Sequence, residues 1–218
     1  MRIVCISDIH LQTNFELPKG DILVDAGDMT FRGNVKEITE AAEWRRDIKA
    51  SHGFKHVICI AGNHDWLFEN DPGIGKMIMQ SNGLDYLQDS EIVVDGIKFY
   101  GAPWQPEFCD WAFNLSRMTG ELAAKWEKIP LDTDVLITHG PPQDILDLCG
   151  GWDATVRRVG CYDLRQRIKV VQPKLHVFGH IHHSYGQTGW ADGPTQFVNA
   201  SICDEGYDPT HAPIVIDL

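Results

Sequence analysis

Five short clusters of metal-capable side chains punctuate the chain: Asp8-Ile9-His10, Gly27-Asp28, Gly62-Asn63-His64-Asp65, His139-Gly140-Pro141-Pro142 and His180-Ile181-His182. Carboxylate, imidazole and amide oxygen form a donor set of intermediate hardness. It suits manganese, iron or zinc better than calcium, which takes all-oxygen shells, or copper(I), which takes sulfur. Asp8 and His10 are two apart, as are His180 and His182; on an extended segment such residues point to the same side, so each pair is read as a chelate. More than four ligands implies more than one ion. Two ions about 3.5–4 Å apart, sharing Asp28 as a bridge, would lower the pKa of a bridging water and clamp the attacking and leaving oxygens of an in-line phosphoryl displacement. Taken singly, His10 or His139 would be read as a hydrogen-bonded structural histidine. Five clusters together need cations, because ionisable groups brought so close would otherwise repel or stay unsatisfied.

Each cluster follows an apolar, β-branched run: IVCIS before Asp8, ILVDA before Gly27, VICIA before Gly62, VLIT before His139 and HVFG before His180. Strands are predicted over residues 2–7, 21–26, 55–61, 96–101, 134–138, 174–178, 195–199 and 214–216. Several of these runs barely alternate in polarity, as strands covered on both faces do. Between them, Val35, Ile38, Ala42 and Ile48 fall on one face of a helix over residues 35–49. Leu122, Trp126 and Ile129 do so in a second helix, and Leu164, Ile168 and Val171 in a third. Residues 91–100 read equally as a hairpin; 70–83 and 141–160 read as loops, or loops holding short helices. Strands alternating with helices indicate an α/β architecture with helices flanking packed sheets. In such sheets the carboxyl ends of the strands open into the ligand crevice, so the five clusters are expected to share one site.

The 218 residues, 43% of them hydrophobic, suffice for a substantial core and are read as one domain over 1–218. The opening MRIVCISDIH has neither the apolar stretch of a signal peptide nor a transit-peptide composition. No apolar run approaches the roughly 18 residues of a membrane span, so a soluble, cytoplasmic protein with no membrane partner is expected. Six cysteines without a CxxC pair argue against a zinc ribbon and a secreted disulfide framework, and are read as free buried thiols. The net charge of −12 disfavours long nucleic acid as a partner. It leaves room for a small phosphate ester, since bound metal supplies positive charge that a formal count omits.

D-x-H, G-D, G-N-H-D, H-G-P-P and G-H-x-H, in this order and at strand-sized spacing over residues 8–182, resemble the five signature blocks of the calcineurin-like metallophosphoesterases. The resemblance implies a four-layer αββα sandwich, two packed mixed β-sheets flanked by helices. It also implies a ligand set: Asp8, His10 and His182 on one metal, Asn63, His139 and His180 on the other, and Asp28 bridging. His64 resembles the histidine that contacts phosphate and protonates the leaving oxygen, oriented by the adjacent Asp65. Residues 100–115, YGAPWQPEFCDWAFNL, and 198–203, VNASIC, resemble the small metallophosphoesterase-domain proteins of the fetal-brain type, whose members hydrolyse phosphodiesters including cyclic nucleotides. Some members of that group carry a substitution in the last histidine block; this chain keeps His180 and His182, so two intact sites are expected. Residues 27–33 also match the G-D-x-x-x-R-G spacing of serine/threonine protein phosphatases, which makes Arg32 either a bidentate phosphate clamp or a solvated surface residue. The rest departs from that group, with GNHD in place of GNHE and a shorter chain.

The expected protein is thus a dinuclear metal-dependent phosphoester hydrolase. A phosphodiesterase acting on small or cyclic nucleotide-type diesters through a metal-bridging hydroxide is favoured, with manganese as the metal and iron or zinc as alternatives. Its candidate catalytic residues are Asn63, His64, Asp65 and Arg32, and its partner is a small-molecule phosphoester such as a nucleotide. The alternatives are a phosphomonoesterase or protein phosphatase of the same fold, and an inactive binding scaffold, against which the full ligand complement counts. Trp66, Trp104 and Trp111 either stack on a nucleobase or pack under a loop. His52, His56, His176, His183 and His211 are assigned to structure or solvent.

Overall fold

The β-branched runs form two mixed sheets in the computed structural model, which describes residues 1–150, 156–191 and 193–218. The first part of the chain runs β1 (Arg2–Ile6), β2 (Ile22–Asp25), α1 (Val35–His52), β3 (His56–Cys59), α2 (Leu67–Asn70), α3 (Pro72–Ser81) and β4 (Asp85–Tyr86). Next come β5 (Ser90–Val94), β6 (Ile97–Ala102), β7 (Gln105–Pro106), β8 (Asn114–Leu115), α4 (Glu121–Trp126) and β9 (Val135–Thr138). The remainder is β10 (Leu148–Gly150), β11 (Val156–Arg158), α5 (Tyr162–Val171), β12 (Leu175–Phe178), β13 (Gly186–Gly189), β14 (Gln196–Asn199) and β15 (Ile214–Asp217). One sheet has the order β15-β1-β2-β3-β4, parallel except for β15; the other has the order β13-β14-β12-β9-β6-β5, parallel except at its two edges.

The period of two along each strand explains the layering. Ile3 and Cys5 of β1, Ile22 and Val24 of β2 and Ile58 of β3 meet Phe99, Val135, Ile137, Val177 and Val198 of the other sheet in one core. The intervening Val4, Ile6, Leu23 and Val57 face the other way, against Ile38 and Ala42 of α1 and Met79 of α3. On the far side, Leu136, Phe178 and Phe197 pack on Leu122 and Trp126 of α4 and Leu164 and Ile168 of α5. Strands buried on both faces need apolar residues at every position, which is why these runs do not alternate. The result is the expected αββα sandwich. Each fully buried aliphatic side chain contributes about 1.5–3 kcal/mol.

Local chemistry sets the helix limits. Asn34 caps α1 by accepting from Glu37 N at 3.0 Å, its own amide reaches the Glu37 carboxylate at 2.9 Å, and Gly53 ends the helix in the left-handed region. Val35, expected on the buried face, is 51% exposed; the buried face instead includes Arg45, whose guanidinium pairs with Asp25 at the end of β2. Residues 70–83 contain the ten-residue α3, begun by the Asp71 cap and Pro72. Residues 91–100 belong to the antiparallel β5–β6 hairpin. Within 141–160, β10 and β11 pair antiparallel; residues 151–155 lie outside the described residues. All six cysteines are free: four are buried, Cys149 is partly covered and Cys109 is exposed, contrary to the expectation of uniformly buried thiols. Among the described residues no helix is long and apolar enough to cross a membrane.

Candidate metal centre

The five clusters meet where β1, β2 and β3 of one sheet and β9 and β12 of the other end. Donor atoms of Asp8, His10 and His182 lie within 4.8 Å of one another, as do those of Asp28, His139 and His180. Asp28 sits between the two groups, its Oδ2 3.4 Å from His139 Nε2 and 3.9 Å from His10 Nε2. Asn63 Oδ1 lies 3.0 Å from His139 Nε2. Asp28, Asn63, His64, His180 and His182 line an open cavity of about 410 Å³.

The chelating turns differ from the extended geometry expected of Asp8-Ile9-His10. Asp8 has φ 51°, His10 φ 42° and Leu11 φ 60°, so the chain coils as it leaves β1; Asp28 at φ 53° and His180 at φ 67° are likewise left-handed, and His182 begins a 3-10 turn. Non-glycine residues in that region cost free energy and cluster at functional sites. Surrounding hydrogen bonds hold these: Asp8 N donates to Gly27 O at 2.8 Å and His10 N to Asp28 O at 3.1 Å. Two glycines beside the clusters are required by close approach. A Cβ on Gly62 would collide with Asp28 Oδ1, and one on Gly179 would collide with Asp8 Oδ2.

Three of the histidines are aimed by backbone carbonyls. His10 Nδ1 pairs with Thr30 O at 3.0 Å, His139 Nδ1 with Ala26 O at 2.9 Å and His182 Nδ1 with Asp204 O at 2.8 Å. Donation from Nδ1 leaves each Nε2 lone pair facing the centre. The donor set therefore fits a cation on two observations: buried His10 Nε2 has no hydrogen-bond partner, and His139 Nε2 faces the Asn63 amide oxygen and the Asp28 carboxylate, all three presenting lone pairs.

Charge in the cluster points the same way. Burial opposes a charge on His139, yet Asp28 and Asp8 raise it to about 9. Burial also opposes a charge on His182, and Asp8 still raises it to about 9. Burial, reinforced by His139, lowers His180 to about 3. Two buried carboxylates thus demand positive charge from imidazoles that burial would keep neutral, and metal cations would answer the same field.

Asp65 does not orient the His64 ring, as the sequence had suggested. His64 Nδ1 pairs with Phe31 O at 2.7 Å. The Asp65 carboxylate accepts from Gly62 N, Met29 N, Thr30 N and Thr30 Oγ1 at 2.8–3.2 Å, tying together the two turns that carry Asp28 and Asn63. Burial, with Asp28 nearby, pushes Asp65 up to about 6. Arg32 is exposed and does not line the cavity; its backbone N donates to Glu37. Of the three tryptophans, Trp66 packs against the α1 core, and Trp104 donates to Asp89 under Lys125. Only Trp111 among them lines the cavity, its ring 4.2 Å from that of His64.

Sequence reasoning gave no role to Phe108, Glu205 and Tyr207, which also line the cavity, or to Ser201, whose Oγ lies 2.9 Å from Asp8 Oδ2. Phe108 and Ser201 fall inside the quoted stretches 100–115 and 198–203; the only signal for Glu205 and Tyr207 is the turn-forming D-E-G-Y-D string.

Residues 1–184 match the calcineurin-like phosphoesterase family. The whole chain is 41% identical over 241 residues to human metallophosphoesterase domain-containing protein 1, covering 71% of that protein. It is 36% identical over 228 residues to the UPF0046 protein K07C11.7 of Caenorhabditis elegans, with 99% of this chain and 74% of that protein aligned. Among solved structures, TT1561 of Thermus thermophilus superposes with a TM-score of 0.56 at 13% identity, covering 91% of this chain and 88% of that one, a likeness of fold. With these matches and a His/Asp cluster fit for cations at the strand ends, the chain belongs to the calcineurin-like phosphoesterases, whose chemistry is metal-dependent phosphoester hydrolysis at a dinuclear centre.

Proposed function

We propose that the chain hydrolyses small phosphodiesters, nucleotide-type diesters among them, and acts neither on long nucleic acid nor at a membrane. Asp8, His10 and His182 would hold one cation; Asn63, His139 and His180 would hold the other; Asp28 would serve both. When bound, two divalent cations, manganese foremost and iron or zinc as alternatives, supply Lewis-acid stabilisation of the phosphoryl oxygens and acidify water.

The chain's own residues do the rest. His64 donates Nδ1–H to Phe31 O, so a proton for the departing ester oxygen must come from Nε2, which makes His64 the general acid. Trp111 lies against its ring at 4.2 Å and restricts its rotation. Asp65 keeps the Asp28 and Asn63 turns in register through four hydrogen bonds. The water oxygen, having released one proton, bonds to phosphorus as the phosphorus–ester oxygen bond breaks; the leaving oxygen takes the Nε2 proton of the His64 imidazolium, and the proton released by water restores the imidazolium for the next turnover.

The observation that carries the diester reading is the cavity lining: no lysine or arginine is among its described residues. A monoester dianion gains from additional cationic side chains, whereas a diester carries one negative charge and needs fewer. Hydrolysis of bis-p-nitrophenyl phosphate and of p-nitrophenyl phosphate by metal-stripped protein resupplied with manganese tests this. Diester turnover restored by metal and exceeding monoester turnover is expected; faster monoester cleavage would make the enzyme a phosphatase, and no turnover with any divalent metal would leave a binding scaffold.

A further inference from the structure

One wall of the cavity, carrying Glu205 and Tyr207, is acidic and aromatic, and the phosphoryl chemistry gives it no task. It comes from one turn. Asp204 Oδ1 accepts from Gly206 N at 2.8 Å and Asp208 N at 3.1 Å, and Tyr207 N donates to Asp204 O at 3.0 Å. These bonds hold Tyr207 at φ 64° with its ring 4.8 Å from that of His10 and 5.8 Å from that of His182. The same turn accepts His182 Nδ1 through Asp204 O, so the element that orients a candidate ligand also builds the wall.

Glu205 is the unsatisfied member. Its carboxylate accepts no hydrogen bond among the described residues; the His183 imidazole lies 3.8 Å away through Nδ1, and both side chains are more than half exposed. Oε1 would lie 3.3 Å from a Cβ on Gly150, so the side chain reaches across the mouth to β10. Beyond it a second cavity, of about 300 Å³, shares His182, His183 and Glu205 with the first. No lysine or arginine is among the described residues lining either cavity. A carboxylate facing a cavity that takes a phosphate anion weakens binding unless the ligand carries compensating positive charge nearby. Tyr207, two residues on in the same turn, lines the first cavity with Glu205, and an aromatic ring there adds attraction for an alkylammonium.

We propose that Glu205, at the junction of the two cavities, and Tyr207, in the lining of the first, form a subsite for a cationic alkylammonium group on the ester arm that extends from the phosphate toward the second cavity. The enzyme then selects zwitterionic phosphodiesters over those of the same shape whose ester arm carries no charge or a negative one. This rests on the hydrolase reading above, and the test separates the two.

The probes are p-nitrophenyl phosphorylcholine and p-nitrophenyl 3,3-dimethylbutyl phosphate, which differ only by carbon in place of the quaternary nitrogen. With metal-loaded protein at low salt, kcat/KM for the choline ester is expected to exceed that for its carbon isostere by about tenfold. Glu205→Gln should bring the ratio to about one, and added salt should compress it in the parent protein. A ratio of one in the parent protein, or a ratio untouched by Glu205→Gln, overturns the proposal. So does an adenosine cyclic phosphodiester outrunning both esters independently of Glu205, which would make the wall a base platform. If neither ester is cleaved, the hydrolase reading fails, and tetramethylammonium titrated into the same metal-loaded protein, followed by tryptophan fluorescence, still decides the subsite. Saturable binding weakened by Glu205→Gln supports it, and no binding overturns it.

Discussion

Asp28 and Glu205 line the same cavity, yet Asp28 is 2% exposed and the Glu205 side chain is 60% exposed. Asp28 Oδ1 accepts from His64 N at 2.8 Å and its Oδ2 lies between two imidazoles; Glu205 touches one histidine at long range. The floor is anchored to strand ends of two sheets and fixed by backbone hydrogen bonds, whereas the rim hangs on a turn and a small hairpin. Preorganised groups on rigid elements suit chemistry, and exposed groups on loops suit choice of substrate. Substitutions in the floor should therefore remove turnover of every ester alike, and substitutions in the rim should redistribute turnover among esters.

The largest expected effect is at the centre of the floor. Asp28→Ala removes the carboxylate between the two donor groups, and kcat should fall by at least about 10³-fold for all substrates, with bound metal per chain dropping as well. Metal content by elemental analysis beside turnover reads both. A variant that keeps its metal and most of its rate would dissolve the distinction between floor and rim.

His64→Ala comes next and tests a narrower point. The ring reaches the cavity with Nδ1 committed to Phe31 O, so its loss should leave metal binding intact and cost about 10²–10³-fold for an alkyl leaving group, which needs a proton. The cost should be far smaller for p-nitrophenolate, which departs without one. Equal losses for both leaving groups would assign His64 to holding phosphate instead of donating a proton.

How much of this was legible follows the same division. IVCIS, VICIA and VLIT revealed strands because double-sided burial leaves a continuous apolar run, and polar clusters at their ends revealed the floor. The coil of Asp8 and His10 out of extended geometry left no trace in residue types, since its cause is the close approach of Gly27 and Asp28 from β2. Arg45 reads as one more polar residue on α1, and only the position of Asp25 across the packed layers makes it a buried partner. Glu205 and Tyr207 sit far from the motif blocks in an ordinary turn string; their relevance comes from where β14 delivers the chain.

Ser201→Ala probes the support of the floor. Ser201 Oγ lies 2.9 Å from Asp8 Oδ2 and 2.8 Å from Asn199 Oδ1, and Asn199 Nδ2 donates to Ile181 O at 2.8 Å, between His180 and His182. Removing the hydroxyl should weaken metal at the Asp8 group by about 10–100-fold, read by competition with a chromogenic chelator, with the fold retained. Unchanged affinity would mean that His180 N, which donates to both Asp8 oxygens, is sufficient to hold that carboxylate.

The smallest expected effect is at Arg32. Its spacing after Gly27-Asp28 matches a phosphate-gripping arginine, but the side chain is exposed and outside the cavity lining, while the loop beneath it is tied by Arg32 N and Gly33 N to the Glu37 carboxylate. An exposed guanidinium contributes little to anything beyond its contacts, so Arg32→Ala should change kcat/KM by less than about twofold for mono- and diesters alike. The result is most informative as a difference between the two: a tenfold loss confined to the monoester would mean that Arg32 swings in to meet a second negative charge. The rim would then hold a cation that the resting cavity lacks, and the diester preference would weaken along with the contrast between a fixed floor and a selective edge.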